Sequence, residues 1–78
     1  MAKRSYPYFA LCVDPSGYQG SLSLGKIYRV VKPELGDRPY DLRVVDEEGA
    51  DYLYSAKRFV AVDLPAKARR ALAGNGKE

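Results

Sequence analysis

Residues 42–54 read L-R-V-V-D-E-E-G-A-D-Y-L-Y, two β-favouring runs around an acidic turn that ends in glycine. Asp46-Glu47-Glu48-Gly49 has the chemistry of a type I bend: Asp at the first position accepts backbone N–H bonds, and Gly at the fourth supplies a left-handed residue. Two hairpin registers compete. A three-residue loop pairs Asp46 with Ala50 and sets Leu53 on the face of Arg43 and Val45. A four-residue loop pairs Val45 with Ala50, groups Leu42, Val44 and Leu53, and turns Arg43, Tyr52 and Tyr54 to the other face. Side chains alternate strictly along a strand, so a slip of one residue exchanges the whole set. Segregation of the aliphatic residues favours the four-residue loop, with both phenols outward.

Outward from this hairpin, the chain predicts more short strands. Residues 8–13 are rich in aromatic and β-favouring types and stop at Asp14-Pro15-Ser16-Gly17, a turn signal. Phe9, Leu11 and Val13 are expected inward on this strand, although Ala10 and Cys12 are small enough to be buried too. Residues 15–25 form a long glycine- and serine-rich connection. Residues 27–32 form a second strand, with Tyr28 and Val30 inward because the opposite face carries Arg29. Residues 33–39 hold two prolines and Gly36, which makes them a loop. Residues 40–45 and 50–54 are the hairpin strands, 55–58 suffice for one helical turn, and 59–62 make a last short strand. Residues 65–73 begin with Pro, continue in Ala, Lys, Arg and Leu, and precede Gly74, the pattern of a short basic helix. Nine residues are marginal as an isolated helix, so Leu72 and some of the alanines must dock on the sheet. Residues 74–78 are expected to be a disordered tail.

In this order and with these loop lengths, residues 8–62 resemble the Src-homology-3-like barrel, a five-stranded all-β fold with a one-turn helix before the last strand. Ala10-Leu11 matches the opening Ala-Leu pair of such domains. Leu22-Ser23-Leu24-Gly25-Lys26 is similar to their Leu-Ser-Phe…Gly-Asp/Glu run. Gly49-Ala50-Asp51-Tyr52-Leu53-Tyr54-Ser55 is similar to their Gly…Tyr-Ile-Pro-Ser, and Phe59-Val60 to their Tyr-Val. The chain also resembles small stand-alone bacterial proteins of this fold, most of which have no assigned function. The resemblance implies one barrel over residues 1–64, followed by the helix 65–73 and the tail 74–78. Members that bind proline-rich peptides place a Trp at the start of the third strand and acids in the first long loop. This chain has no Trp, the nearest position being Tyr40, and residues 15–25 contain no acid. Proline-rich recognition therefore does not carry over with the fold.

The 78 residues form one domain near the lower limit for a core without covalent staples. The single Cys12 excludes an intramolecular disulfide and reads as a small core residue. With no His and one Cys, no metal site is expected. The acidic turn lacks the alternating carboxylates of a calcium loop and reads as a solvated bend. There is no glycine-rich phosphate loop and no nucleophile with an evident base, so neither an enzyme nor a cofactor is expected. The run after Lys3 and Arg4 contains Pro7 and ends at Asp14 with no cleavage signal, and no stretch is long enough to span a bilayer. A cytoplasmic protein is expected.

Net charge is +3, but residues 5–64 carry 7 basic and 9 acidic side chains. The basic excess belongs to Lys3, Arg4, Lys67, Arg69, Arg70 and Lys77, set against Glu78. Seven Tyr and two Phe are a high aromatic load for this length. They either cover the ends of the sheet or form a contact surface, because a phenol tolerates both burial and water. The first reading is a protein-interaction module that binds an unidentified protein, or a second copy of itself. Tyr18, Tyr52, Tyr54 and Phe59, or an open strand edge, would form its surface. The alternative is a nucleic-acid- or ribosome-associated protein using Lys67, Arg69 and Arg70 with exposed aromatics. The bland reading of those cations is a solvated end of the chain.

Overall fold

The computed structural model describes residues 5–73. Five strands, β1 (Tyr8–Cys12), β2 (Ile27–Val31), β3 (Asp41–Val45), β4 (Asp51–Ser55) and β5 (Phe59–Val62), form one antiparallel sheet in the order β4-β3-β2-β1-β5. A single 3₁₀ turn (Ala56–Arg58) joins β4 to β5, and α1 (Ala66–Ala73) follows. The all-β architecture, the one-turn helix and the short helix after Pro65 match the expectation from sequence. The expected tail 74–78, with Lys3, Arg4 and Lys77, lies outside the described residues.

β4 and β5 are the two edges, yet Tyr54 on β4 and Phe59 on β5 bring their ring centroids to 6.2 Å. Four strand spacings of a flat sheet would hold the edges about 19 Å apart. The sheet is therefore strongly curled where the 3₁₀ turn links its edges. The curl gathers one face into a core of Ala10, Cys12, Leu22, Tyr28, Val30, Val44, Tyr54 and Phe59, with Tyr8 and Leu42 packed against it. Tyr28 and Val30 point inward as expected. β1 corrects the sequence reading. Ala10 and Cys12 are fully buried in the core, whereas Val13 is exposed and Leu11 half-buried. Two small residues at the centre leave room for the side chains of Leu22, Tyr28 and Phe59. Phe9 is also buried, but on the opposite face, where it lines a groove with Leu72 of α1. Both faces of β1 are thus covered.

The hairpin register is the one the sequence reading rejected. Val45 pairs with Asp51, Arg43 with Leu53, and Leu42 with Tyr54. The Asp46 N–H donates to the Ala50 carbonyl at 3.0 Å, which leaves a three-residue loop, Glu47-Glu48-Gly49. The Gly49 N–H closes the bend on the Asp46 carbonyl at 3.0 Å, and Gly49 has φ +83°, the left-handed residue that ends a type I turn of this length. Tyr54, expected outward, is 4% exposed in the core, and Leu53, expected inward, is 37% exposed. Two polar anchors make this arrangement stable. The Tyr54 hydroxyl donates to the buried Asp46 carboxylate at 3.2 Å. On the opposite face, Arg43 is not left to solvent. It meets Asp37 in a bidentate pair at 2.9 and 3.0 Å and Asp51 at 2.9 Å.

Arg43 thereby ties the 33–39 loop to both hairpin strands, with Glu34 at 3.6 Å as a further neighbour. Hydrogen bonds from Arg43 hold the Asp37 and Asp51 carboxyls below the ordinary value of 3.8. Carboxyls more acidic in the fold than in the unfolded chain stabilise it fully above that value, and the stabilisation is lost as pH falls through their folded values. Arg43→Met should lower the thermal midpoint at neutral pH more than Arg38→Met, because the Arg38 side chain is far more exposed than that of Arg43. It should also flatten the loss of stability on acidification below that value. Thermal melts at neutral pH and urea titrations across the acid range check this, and equal thermal midpoints for the two would refute it.

Candidate interaction surface around the one-turn helix

The long loop between β1 and β2 positions the first aromatic. Leu22 is buried and closes the loop over the core, and the N–H groups of Ser21 and Leu22 both donate to the Tyr18 carbonyl. The acidic turn holds the loop from the other side. Glu47 accepts from the Tyr28 hydroxyl at 2.6 Å and from the Ser23 hydroxyl, with the Lys26 ammonium 3.7 Å away. These bonds, that of Ser23 first, hold the Glu47 carboxyl below its usual range. The turn expected to be merely solvated is in fact a clamp: Asp46 is buried, and Glu47 binds the loop.

Tyr18 stands edge-on against Tyr54, centroids 5.1 Å apart, and Tyr54 in turn meets Phe59 edge-to-face. The structure therefore brings together three of the four aromatics expected to form a contact surface. It divides their roles. Tyr54 and Phe59 are buried at 4% and 8% and form the floor, while Tyr18 and Tyr52 are exposed at 44% and 54%. Burial raises the Tyr54 hydroxyl above its ordinary value. Tyr52 lies opposite Val44, on the same sheet face as Tyr54.

The 3₁₀ turn completes the surface. The Ser55 hydroxyl caps it by accepting from the Lys57 N–H. At its far end the Arg58 guanidinium donates to the carbonyls of Asp14 (2.9 Å) and Ser16 (2.7 Å) and lies 4.7 Å from the Tyr18 ring centroid. At its near end the Ala56 N–H donates to the Tyr40 carbonyl at 3.0 Å. Tyr40 is 61% exposed, with the Arg38 guanidinium 5.3 Å from its ring centroid. Two exposed phenols, each with an arginine beside it, thus adjoin opposite ends of one helical turn. Sequence reasoning did not assign Arg38, Tyr40 or Arg58 to the surface. Arg58 reaches carbonyls 42 and 44 residues away, a separation that carries no sequence signal.

Lys67, Arg69 and Arg70 are all exposed on α1. None of Tyr18, Tyr52, Tyr54 and Phe59 lines the cleft beside Arg69 and Arg70. Among the described residues no cluster of metal-ligating side chains occurs, and no helix is long and apolar enough to cross a membrane. No family model matches the chain, and no curated protein or solved structure matches it.

Proposed function

We propose that this chain is a small Src-homology-3-like barrel of the cytoplasm that acts as a non-catalytic protein-interaction module. The curl that brings Tyr54 and Phe59 of opposite edge strands into contact supports the barrel. One observation carries the interaction reading: two exposed tyrosines, each beside an arginine, adjoin the 3₁₀ turn, Tyr18 packed edge-on against the buried Tyr54 and Tyr40 bonded through its carbonyl to Ala56. Tyrosine and arginine are among the residues that most often dominate protein-binding energy, and a packed floor lowers the entropic cost of binding. Tyr52 extends the surface along β4. The partner is another protein or a second copy of this chain.

Affinity capture from the source cells, in the presence of nuclease, tests this with the wild type, a Tyr18→Ala/Tyr40→Ala double variant and Leu35→Ala as a control. Leu35 is fully exposed and lies outside the surface. The double variant should lose partners that the wild type and the control retain, with affinity lowered about tenfold or more. Identical recovery by all three baits would place the binding surface elsewhere.

A further inference from the structure

Tyr6 and Tyr8 make a stepped aromatic pair at the start of the fold. Tyr8 packs against the core cluster, and the Tyr6 ring lies against it at 5.6 Å and 41°. Tyr6 remains 43% exposed, so a fixed inner ring holds an outer one that offers a face to solvent. Across from it runs α1. Ala66, Arg69 and Arg70 form one wall of a cleft of about 400 Å³, and Tyr6, Pro7 and Phe9 form the other. Among the described side chains of the helix Ala68 and Leu72 are half-buried, while Lys67, Arg69 and Arg70 are exposed.

Arg69 and Arg70 both line the cleft, whereas Lys67, two residues from Arg69, lies on another side of the helix. None of the three forms an ion pair with a carboxylate of the described residues. Asp63 is the acid that lines the adjoining cleft with Arg69. An aromatic face beside two adjacent cations is what a single strand of nucleic acid requires. The ring stacks a base of any sequence, and the cations follow the phosphates. A duplex keeps its bases stacked inside and cannot use the ring.

We propose that Tyr6 with Arg69 and Arg70 forms a binding site for single-stranded nucleic acid, one base stacking on Tyr6 and the adjoining phosphates meeting the two arginines. The site is separate from the surface around the 3₁₀ turn and does not rest on the function proposed above.

Fluorescence anisotropy with a labelled oligothymidine, the matching oligouridine and a duplex of equal length tests it. Both single strands should bind more tightly than the duplex. Two phosphate contacts predict a log–log salt slope near −1.4, from about −0.7 per contact. Tyr6→Ala should weaken binding by about tenfold while leaving the slope unchanged, because stacking releases no counterions. An Arg69→Gln/Arg70→Gln variant should reduce the slope by about 1.4. Leu35→Ala should bind as the wild type does. No saturable binding at low salt, a duplex preferred to single strands, or Tyr6→Ala without effect would each overturn the site. Far-ultraviolet dichroism of every variant confirms that folding is intact.

Discussion

Tyr54→Ala removes on the order of 4 kcal/mol of folding stability, which leaves a domain of this size close to unfolded at room temperature. The ring is 4% exposed and meets both Tyr18 and Phe59 edge-on. Its loss opens a cavity where the two sheet edges converge, and it leaves the Asp46 carboxylate buried without the hydroxyl it now accepts from. The thermal midpoint should fall on the order of 20 °C. Tyr54→Phe keeps the packing and loses only the hydrogen bond, so it should cost about 1 kcal/mol. Leu53→Ala, at the neighbouring position that points away from the core, should cost under about 1 kcal/mol. Urea unfolding of the three variants at neutral pH orders them as Tyr54→Ala, then Tyr54→Phe and Leu53→Ala close together. If Leu53→Ala proves the most damaging, the hairpin pairs through a four-residue loop and the aliphatic residue is the buried one.

That hairpin also shows where the sequence was legible and where it was not. Element existence and order could be read, because β-favouring runs, prolines and glycines act over a few residues. The parity of β2 could be read because Arg29 favours Tyr28 and Val30 as the inward pair. Register could not, for a reason of the same kind. Segregation of the aliphatic residues sets Arg43 apart from Leu53, yet the two share a face on which Arg43 is paired with Asp37. That aspartate sits six residues back in a loop, where no spacing rule joins the two. Once both Arg43 and Tyr54 have carboxylate partners, the cost of a face that looks mixed is offset, and the larger ring takes the core in place of Leu53. Among the site residues, the aromatic cluster of Tyr18, Tyr54 and Phe59 was legible as a group. Its division into floor and surface was not, because it depends on that register. The arginines beside Tyr18 and Tyr40 were hidden by long-range geometry, and Tyr6 by its position before the first strand.

The second large effect is a loss of stability in alkali that runs through a single phenol. Tyr28 is 4% exposed, donates to Glu47 at 2.6 Å and accepts from the Ser23 N–H at 2.7 Å. Burial, and then the bond to the Glu47 carboxylate, pushes its pKa from 10.0 up to about 12. The fold therefore holds this proton more tightly than the unfolded chain does. The stabilisation is whole below pH 10 and drains away as pH rises toward 12, by roughly 2–3 kcal/mol in all. Tyr28→Phe cannot ionise. At neutral pH it should be less stable than the wild type by about 1 kcal/mol, because Ser23 and Glu47 lose their common partner. Across the alkaline window it should lose less than the wild type, so the two stability curves converge or cross. The clamp between the acidic turn and the long loop explains the direction: a phenolate beside Glu47 sets two negative charges where one proton now joins them. Parallel urea titrations at pH 9 and near pH 12 provide the measurement. Curves that fall in parallel would mean that some other group drives alkaline unfolding and that the Tyr28–Glu47 bond does not fasten the loop to the hairpin.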